Sequence, residues 1–182
     1  MAGHSSAVAS RTGNNWFLRI VASLSTLAGW CSAAMIVAAV GITCQMIFIR
    51  FVLNGSTVWQ TEAVIYLAIA STLIGLPYVQ RLRGHVNVDL VPISLPKRAR
   101  FFLAILTLSL SIVMVAVMLW YSFEHWHLTY ERNWKSDTVW GVRLWIPYLA
   151  LPVGFGLFLL QLIADLMAVI LKIDQPFGLE DV

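Results

Sequence analysis

Few residues of this chain are capable of covalent, redox or metal chemistry, and their spacing does not bring them together. Haem ligation between helices needs imidazoles that face one another at one depth. His125 and His127 sit side by side beyond an apolar run, and His85 lies in a basic segment between two other runs. Cys31 and Cys44 are 13 positions apart, roughly 20 Å along a helix, so they neither bridge nor form a metal pair. Two buried thiols acting as small hydrophobes is the plain reading. No phosphate-cradling glycine loop and no nucleophile–base set is recognisable, so no catalytic residue, cofactor or metal is expected and the chain does not read as an enzyme. The carboxylates Glu62 and Asp165 lie at the edges of apolar stretches rather than within them. A polar solute crossing a bilayer through this chain alone would need ionisable groups or broken helices near mid-depth.

The elements that position these residues are membrane spans. Of 182 residues, 59% are hydrophobic and 12% charged, with a mean hydropathy of +0.79, outside the composition of a soluble domain. Two cysteines and a net charge of +3 exclude a disulfide scaffold and a nucleic-acid binder. Uncharged stretches run from Ile20 to Ile49, Ala63 to Gln80, Phe101 to Phe123 and Leu144 to Ala164. Each reaches or approaches the about 20 helical residues that cross a hydrocarbon core of about 30 Å. The fold class is therefore an all-α membrane protein of four transmembrane helices. It forms a single membrane domain, 1–182, with spans near 30–50, 62–80, 100–123 and 144–166 and a tail at 172–182. The first stretch exceeds a span, and Gly29-Trp30 marks where a cytoplasmic or interfacial lead-in, 1–29, turns into the bilayer. It is too long for a signal-peptide core and is expected to be retained.

Cations set the orientation, because Lys and Arg accumulate in cytoplasmic loops. With the N-terminus inside, Arg11, Arg19, Arg81, Arg83, Lys97, Arg98, Arg100 and Lys172 are cytoplasmic, against Arg50, Arg132, Lys135 and Arg143 outside. Both termini are therefore expected in the cytoplasm.

Helices in lipid associate through close backbone approach and a few polar contacts, so small residues mark contact faces. Ala34, Ala38 and Gly41 share one face of the first span, Ala68, Ser71 and Gly75 one of the second, and Ala150 and Gly154 lead down the fourth to Gln161 and Asp165. The third span looks the most lipid-exposed. Its outer end carries Trp120, Tyr121, Trp126 and Tyr130, an aromatic belt on a helix that protrudes from the bilayer, with Glu131 and Lys135 paired at i+4. Pro77, Pro147 and Pro152 either kink or start helices, Pro147 fitting a first turn, or open a substrate path.

Between the second and third spans, Val86, Val88 and Leu90 alternate with His85, Asn87 and Asp89, the pattern of an amphipathic segment lying on the membrane surface. Arg81 and Arg83 are placed to pair with lipid phosphates or with Asp89, and Pro96 fits the first turn of the third helix. His85 and Asp89 either shape this loop by a local hydrogen bond or touch a partner subunit. Outside, Trp134, Lys135, Asp137, Trp140 and Arg143 form either a belt with a solvated turn or a docking surface.

Three strings carry a resemblance: W-Q-T-E-A-V-I-Y-L from Trp59, L-P-Y-V-Q-R-L-R-G-H-V-N-V-D-L-V with Arg81, His85 and Asp89, and W-I-P-Y-L-A-L-P-V-G-F-G-L-F-L-L-Q ending at Gln161. Over about Trp59 to Leu171 the chain resembles the small membrane subunit, DctQ-like, of the tripartite ATP-independent periplasmic (TRAP) transporters. Similar proteins often carry two adjacent acidic residues where this chain has Glu62-Ala63, and a basic residue near Tyr66 where it has Ile65, so only Glu62 is carried over.

The resemblance implies a multi-pass protein of the bacterial inner membrane. Its partners would be a large multi-span permease subunit, a periplasmic solute-binding protein and membrane lipids, in sodium-driven uptake of an organic acid, commonly a carboxylate. The small subunit would brace the large one, with Ala34, Ala38, Gly41, Glu62, Ser71, Gly75, Ala150, Gly154 and Gln161 as contact candidates and the outer-loop residues docking the binding protein. The competing class is a self-sufficient four-helix protein, a homo-oligomeric small exporter or a haem-carrying redox anchor. The first needs an intramembrane carboxylate and the second facing ligands.

Overall fold

The computed structural model describes residues 16–82 and 96–171. These form α1 (Trp16–Phe51), α2 (Trp59–Arg81), α3 (Lys97–Glu131), the single turn α4 (Trp145–Tyr148) and α5 (Ala150–Ile170). With α4 and α5 taken together, four helical segments among the described residues are long and apolar enough to cross a membrane. The amphipathic segment with His85 and Asp89, and the residues before Trp16 and after Leu171, lie outside the described residues.

α1 is one helix of 36 residues, about 54 Å long, and runs unbroken from Trp16 through Gly29-Trp30. Gly29 does not turn the chain. It is where the ring of Tyr78 from α2 lies against α1, so close that a Cβ on Gly29 would sit 2.5 Å from Tyr78 Cγ. The contact continues one turn on, where Ser32 Oγ donates to the Ser71 carbonyl at 2.6 Å and a Cβ on Gly75 would meet Ser32 Oγ at 2.8 Å. Near the far end Thr61 Oγ1 approaches Met46 Sδ at 3.5 Å. α1 and α2 are thus an antiparallel hairpin, closed through Asn54 at φ 48° and an Arg50 Nε to Thr57 Oγ1 bond of 2.6 Å.

α5 is the hub, in contact with α1, α2 and α3, whereas α3 packs chiefly on α5. Burial follows from this: 28% of the most apolar stretch of Trp145–Ile170 is buried, against 6% in Arg98–Glu131. The third span is therefore the most open to lipid, as its composition indicates.

The prolines explain two local features. Pro77 has no N–H for the carbonyl of Leu73 four residues earlier, and that carbonyl faces Gly154 on α5. A Cβ on Gly154 would lie 2.8 Å from Leu73 O and 2.9 Å from its carbon, so glycine is what lets the two backbones meet. Pro152 likewise cannot serve the carbonyl of Tyr148, which separates α4 from α5 although Leu149 keeps helical angles, φ −58° and ψ −27°. Pro147 lies in the single turn α4. Pro96 stands just outside α3 as its N-cap, with ψ 152°, rather than in the first turn.

Candidate functional site: polar clusters at the two ends of α2

The only charged residues of α2 are Glu62, in its first turn, and Arg81, in its last. The rise between them is about 28 Å, close to the thickness of a hydrocarbon core, so the bilayer lies between these two side chains. A polar cluster has formed at each level.

At the Arg81 end, Ser25 Oγ donates to Gln161 Oε1 at 2.6 Å, Gln161 Nε2 to Asp165 Oδ1 at 2.7 Å, and Gln80 Nε2 to Asp165 Oδ2 at 3.0 Å. This chain of bonds crosses from α1 through α5 to α2. Arg81 Nη1 donates to the Ala22 carbonyl at 2.7 Å and to Thr26 Oγ1. The guanidinium is therefore engaged on α1, while Asp89, one of the partners the sequence offers it beside lipid phosphates, lies outside the described residues. Beyond this level Leu18 and Val21 of α1 continue against Ala164 of α5. Replacing Ser25 with Ala should lower bundle stability by about 0.6 kcal/mol, the average of interhelical hydrogen bonds in membranes. The midpoint of SDS-induced unfolding measures it, and an unchanged midpoint would remove this bond from the account.

At the other end Glu62 is only 8% exposed. Its Oε1 accepts from Tyr66 OH and its Oε2 from Thr138 Oγ1, both at 2.6 Å. Thr138 belongs to the loop after α3, which folds back over the start of α2, and Trp140 of that loop packs on Trp59 at 6.1 Å between ring centroids. α3 stops at Glu131, where the chain reverses through Asn133 at φ 49°. Lys135 is therefore not on the helix and cannot pair with Glu131 at i+4. Glu131 instead lies 3.8 Å from His127, and Lys135 forms an antiparallel bridge with Arg143. His127 stacks on Phe123, and His125 meets Trp134 edge-on and Tyr148 at a tilt. Trp126 Nε1 donates to the Trp145 carbonyl at 3.1 Å.

The expected contact residues divide into two groups. Glu62, Ser71, Gly75, Ala150, Gly154 and Gln161 are buried within the chain, where they join its own helices. Ala34, Ala38 and Gly41 are exposed, and a Cβ on Gly41 would have nothing within 4 Å. α1 meets α2 through Gly29 and Ser32 instead, the stripe beside the one its alanines suggest. Trp134, Lys135, Asp137, Trp140 and Arg143 are exposed together on the folded-back loop. Ser25, Thr26, Gln80, Tyr66 and Thr138 were not singled out from the sequence. The available signal was the pairing of isolated polar residues at matching depths on neighbouring spans. Cys31 and Cys44 are exposed on α1 rather than buried. Among the described residues no three His, Cys, Asp or Glu side chains converge as a metal site would require.

Four helical segments long and apolar enough to cross a membrane, with polar clusters joining α1, α2 and α5 at one end and α2 to the loop after α3 at the other, define a helical integral-membrane protein. The family model of the tripartite ATP-independent periplasmic transporters, DctQ component, matches residues 39–171, and the chain belongs to this family. Over 164 residues it is 23% identical to the C4-dicarboxylate TRAP transporter small permease protein DctQ of Vibrio cholerae, covering 79% of this chain and 71% of that protein. It is also 28% identical over 113 residues to the isethionate TRAP transporter permease protein DctMQ of Oleidesulfovibrio alaskensis. That match covers 61% of this chain and 17% of the much longer relative.

Proposed function

We propose that this chain braces a large multi-span permease subunit in binding-protein-dependent, sodium-driven uptake of an organic acid, a carboxylate, across the bacterial inner membrane, with both termini in the cytoplasm. The observation that carries the reading is the distribution of polar groups. The apolar interval between Glu62 and Arg81 holds no charge, and the polar side chains at its ends bond the chain's own helices to one another. That arrangement builds a stiff block and offers no group to bind a solute at mid-depth. The longer relative named as a DctMQ permease supports a large partner, and the relatives' printed substrates, a C4-dicarboxylate and isethionate, support an organic anion.

The face free for the large subunit is the exposed stripe Ala34, Ala38 and Gly41 on α1. Gly75 and Gly154 are already used inside. Ala38→Leu is expected to leave the chain folded but reduce co-purification with the large subunit at least about tenfold, the effect of roughly 1.4 kcal/mol at a tightly packed contact. Equal recovery of both subunits would move the contact elsewhere. The exposed loop residues Trp134, Lys135, Asp137, Trp140 and Arg143 are the surface proposed to meet the binding protein, and the segment with His85 and Asp89 is proposed to lie on the cytoplasmic membrane surface. Vesicles holding this chain alone should show no solute flux and no haem absorption. Uptake should require the large subunit and the binding protein together, and flux through the chain by itself would overturn the bracing role.

A further inference from the structure

The loop after α3 is a β-hairpin in miniature with an apolar tip. Its arms are held by the bridge between Lys135 and Arg143, by Ser136 N to Val142 O at 2.9 Å and by Leu144 N to Trp134 O at 3.0 Å. Its tip is a turn closed by Gly141 N to Thr138 O at 3.0 Å, with Gly141 at φ 60°, a conformation that suits glycine. Lys135 and Arg143 stand at the base, and Val139 and Trp140 at the apex. Val139 is 92% exposed, so it touches almost nothing in the protein.

The depth of the apex is fixed by the bond from Thr138 Oγ1 to Glu62 Oε2. Glu62 is one of the two charges bounding the span of α2, so the residue after Thr138 lies at the boundary between hydrocarbon and headgroups. Trp140 rests on Trp59, a ring pair of the kind that settles in this zone. The neighbouring α1–α2 connection continues the apolar rim with exposed Phe51, Val52 and Leu53.

We infer that the tip at Val139 is a lipid-binding element, inserted shallowly in the leaflet at the Glu62 end and held there by the Thr138–Glu62 hydrogen bond. An exposed valine at this depth gains by leaving water, whereas the arms keep their cations on the aqueous side. Glu62 acts as a positioning residue: its carboxylate sets where the hairpin rests. This inference does not depend on what the chain supports or transports.

The test is a nitroxide at position 139, through Val139→Cys in a Cys31→Ser/Cys44→Ser background. The full chain is placed in nanodiscs of phosphatidylethanolamine and phosphatidylglycerol. At 139 the label should collide more with oxygen than with a water-soluble nickel chelate, and at 137, through Asp137→Cys, the order should reverse. Thr138→Val should raise nickel access at 139, and Thr138→Ser, which keeps the hydroxyl, should restore the lipid signature. Labels at 139 and 137 with the same aqueous signature would overturn the insertion. An unchanged signature in Thr138→Val would overturn the role of the latch. Loss of access to both reagents only when the large subunit or binding protein is added would show a protein contact and overturn the lipid assignment.

Discussion

Gly154→Leu should abolish the native bundle, while Gly41→Leu should leave its helices and thermal midpoint unchanged. The two glycines lie in apolar stretches of similar composition and differ only in what they face. At Gly154 the first side-chain carbon already falls 2.8 Å from Leu73 O, and the obstacle is backbone rather than a movable side chain. Overpacking typically costs about 1–3 kcal/mol even when neighbours can shift, and here α5 must move off α2 as a body. That movement would also separate Gln80 from Asp165, whose bond lies further along the same interface. At Gly41 nothing lies within 4 Å of the new atom. Fluorescence-detected size-exclusion profiles and SDS unfolding of both variants measure the contrast, and a stable Gly154→Leu bundle would show that α2 and α5 do not meet at this point.

Gln161→Leu should produce the next largest loss, about 1–3 kcal/mol, because two partners lose their bonds at once. Gln161 uses both ends of its amide, accepting from Ser25 and donating to Asp165. A leucine of similar bulk keeps the packing and removes both bonds, leaving the Ser25 hydroxyl on α1 short of a partner in an apolar setting and taking one bond from Asp165 on α5. The double variant separates the contributions. Adding Ser25→Ala to Gln161→Leu should cost almost nothing further, since the bond it would remove is already gone. Additive losses in SDS unfolding would mean that Ser25 and Gln161 act independently, against the geometry.

The spans were legible in the sequence because length and hydropathy measure the bilayer directly, and family membership was legible in strings such as Y-L-A-L-P-V-G-F. Contact faces were less so. On α1, Ala34, Ala38 and Gly41 suggest a close-packed stripe, yet the hairpin with α2 closes on Gly29 and Ser32. Small residues report that a neighbour can approach, not which neighbour does, and lipid exerts no hydrophobic pressure to decide between faces. Gly29 illustrates the ambiguity: its position before Trp30 fits a turn at the interface, and its actual neighbour is the ring of Tyr78 from a helix almost 50 residues later. The Glu62–Thr138 bond was hidden for a related reason, since it joins residues 76 apart and depends on the loop after α3 folding back.

The position of α5 at the centre of the bundle has a consequence for biogenesis. Of these four spans, the last to leave the ribosome is the one that the other three lean on. α1 and α2 can pair as soon as both have been inserted, but α3 enters the bilayer before its principal neighbour has been made. Until α5 arrives, a newly inserted third span is an orphan, open to membrane quality-control proteases. Ribosome stalling or truncation before Ala150 should therefore yield short-lived fragments rather than a stable partial bundle.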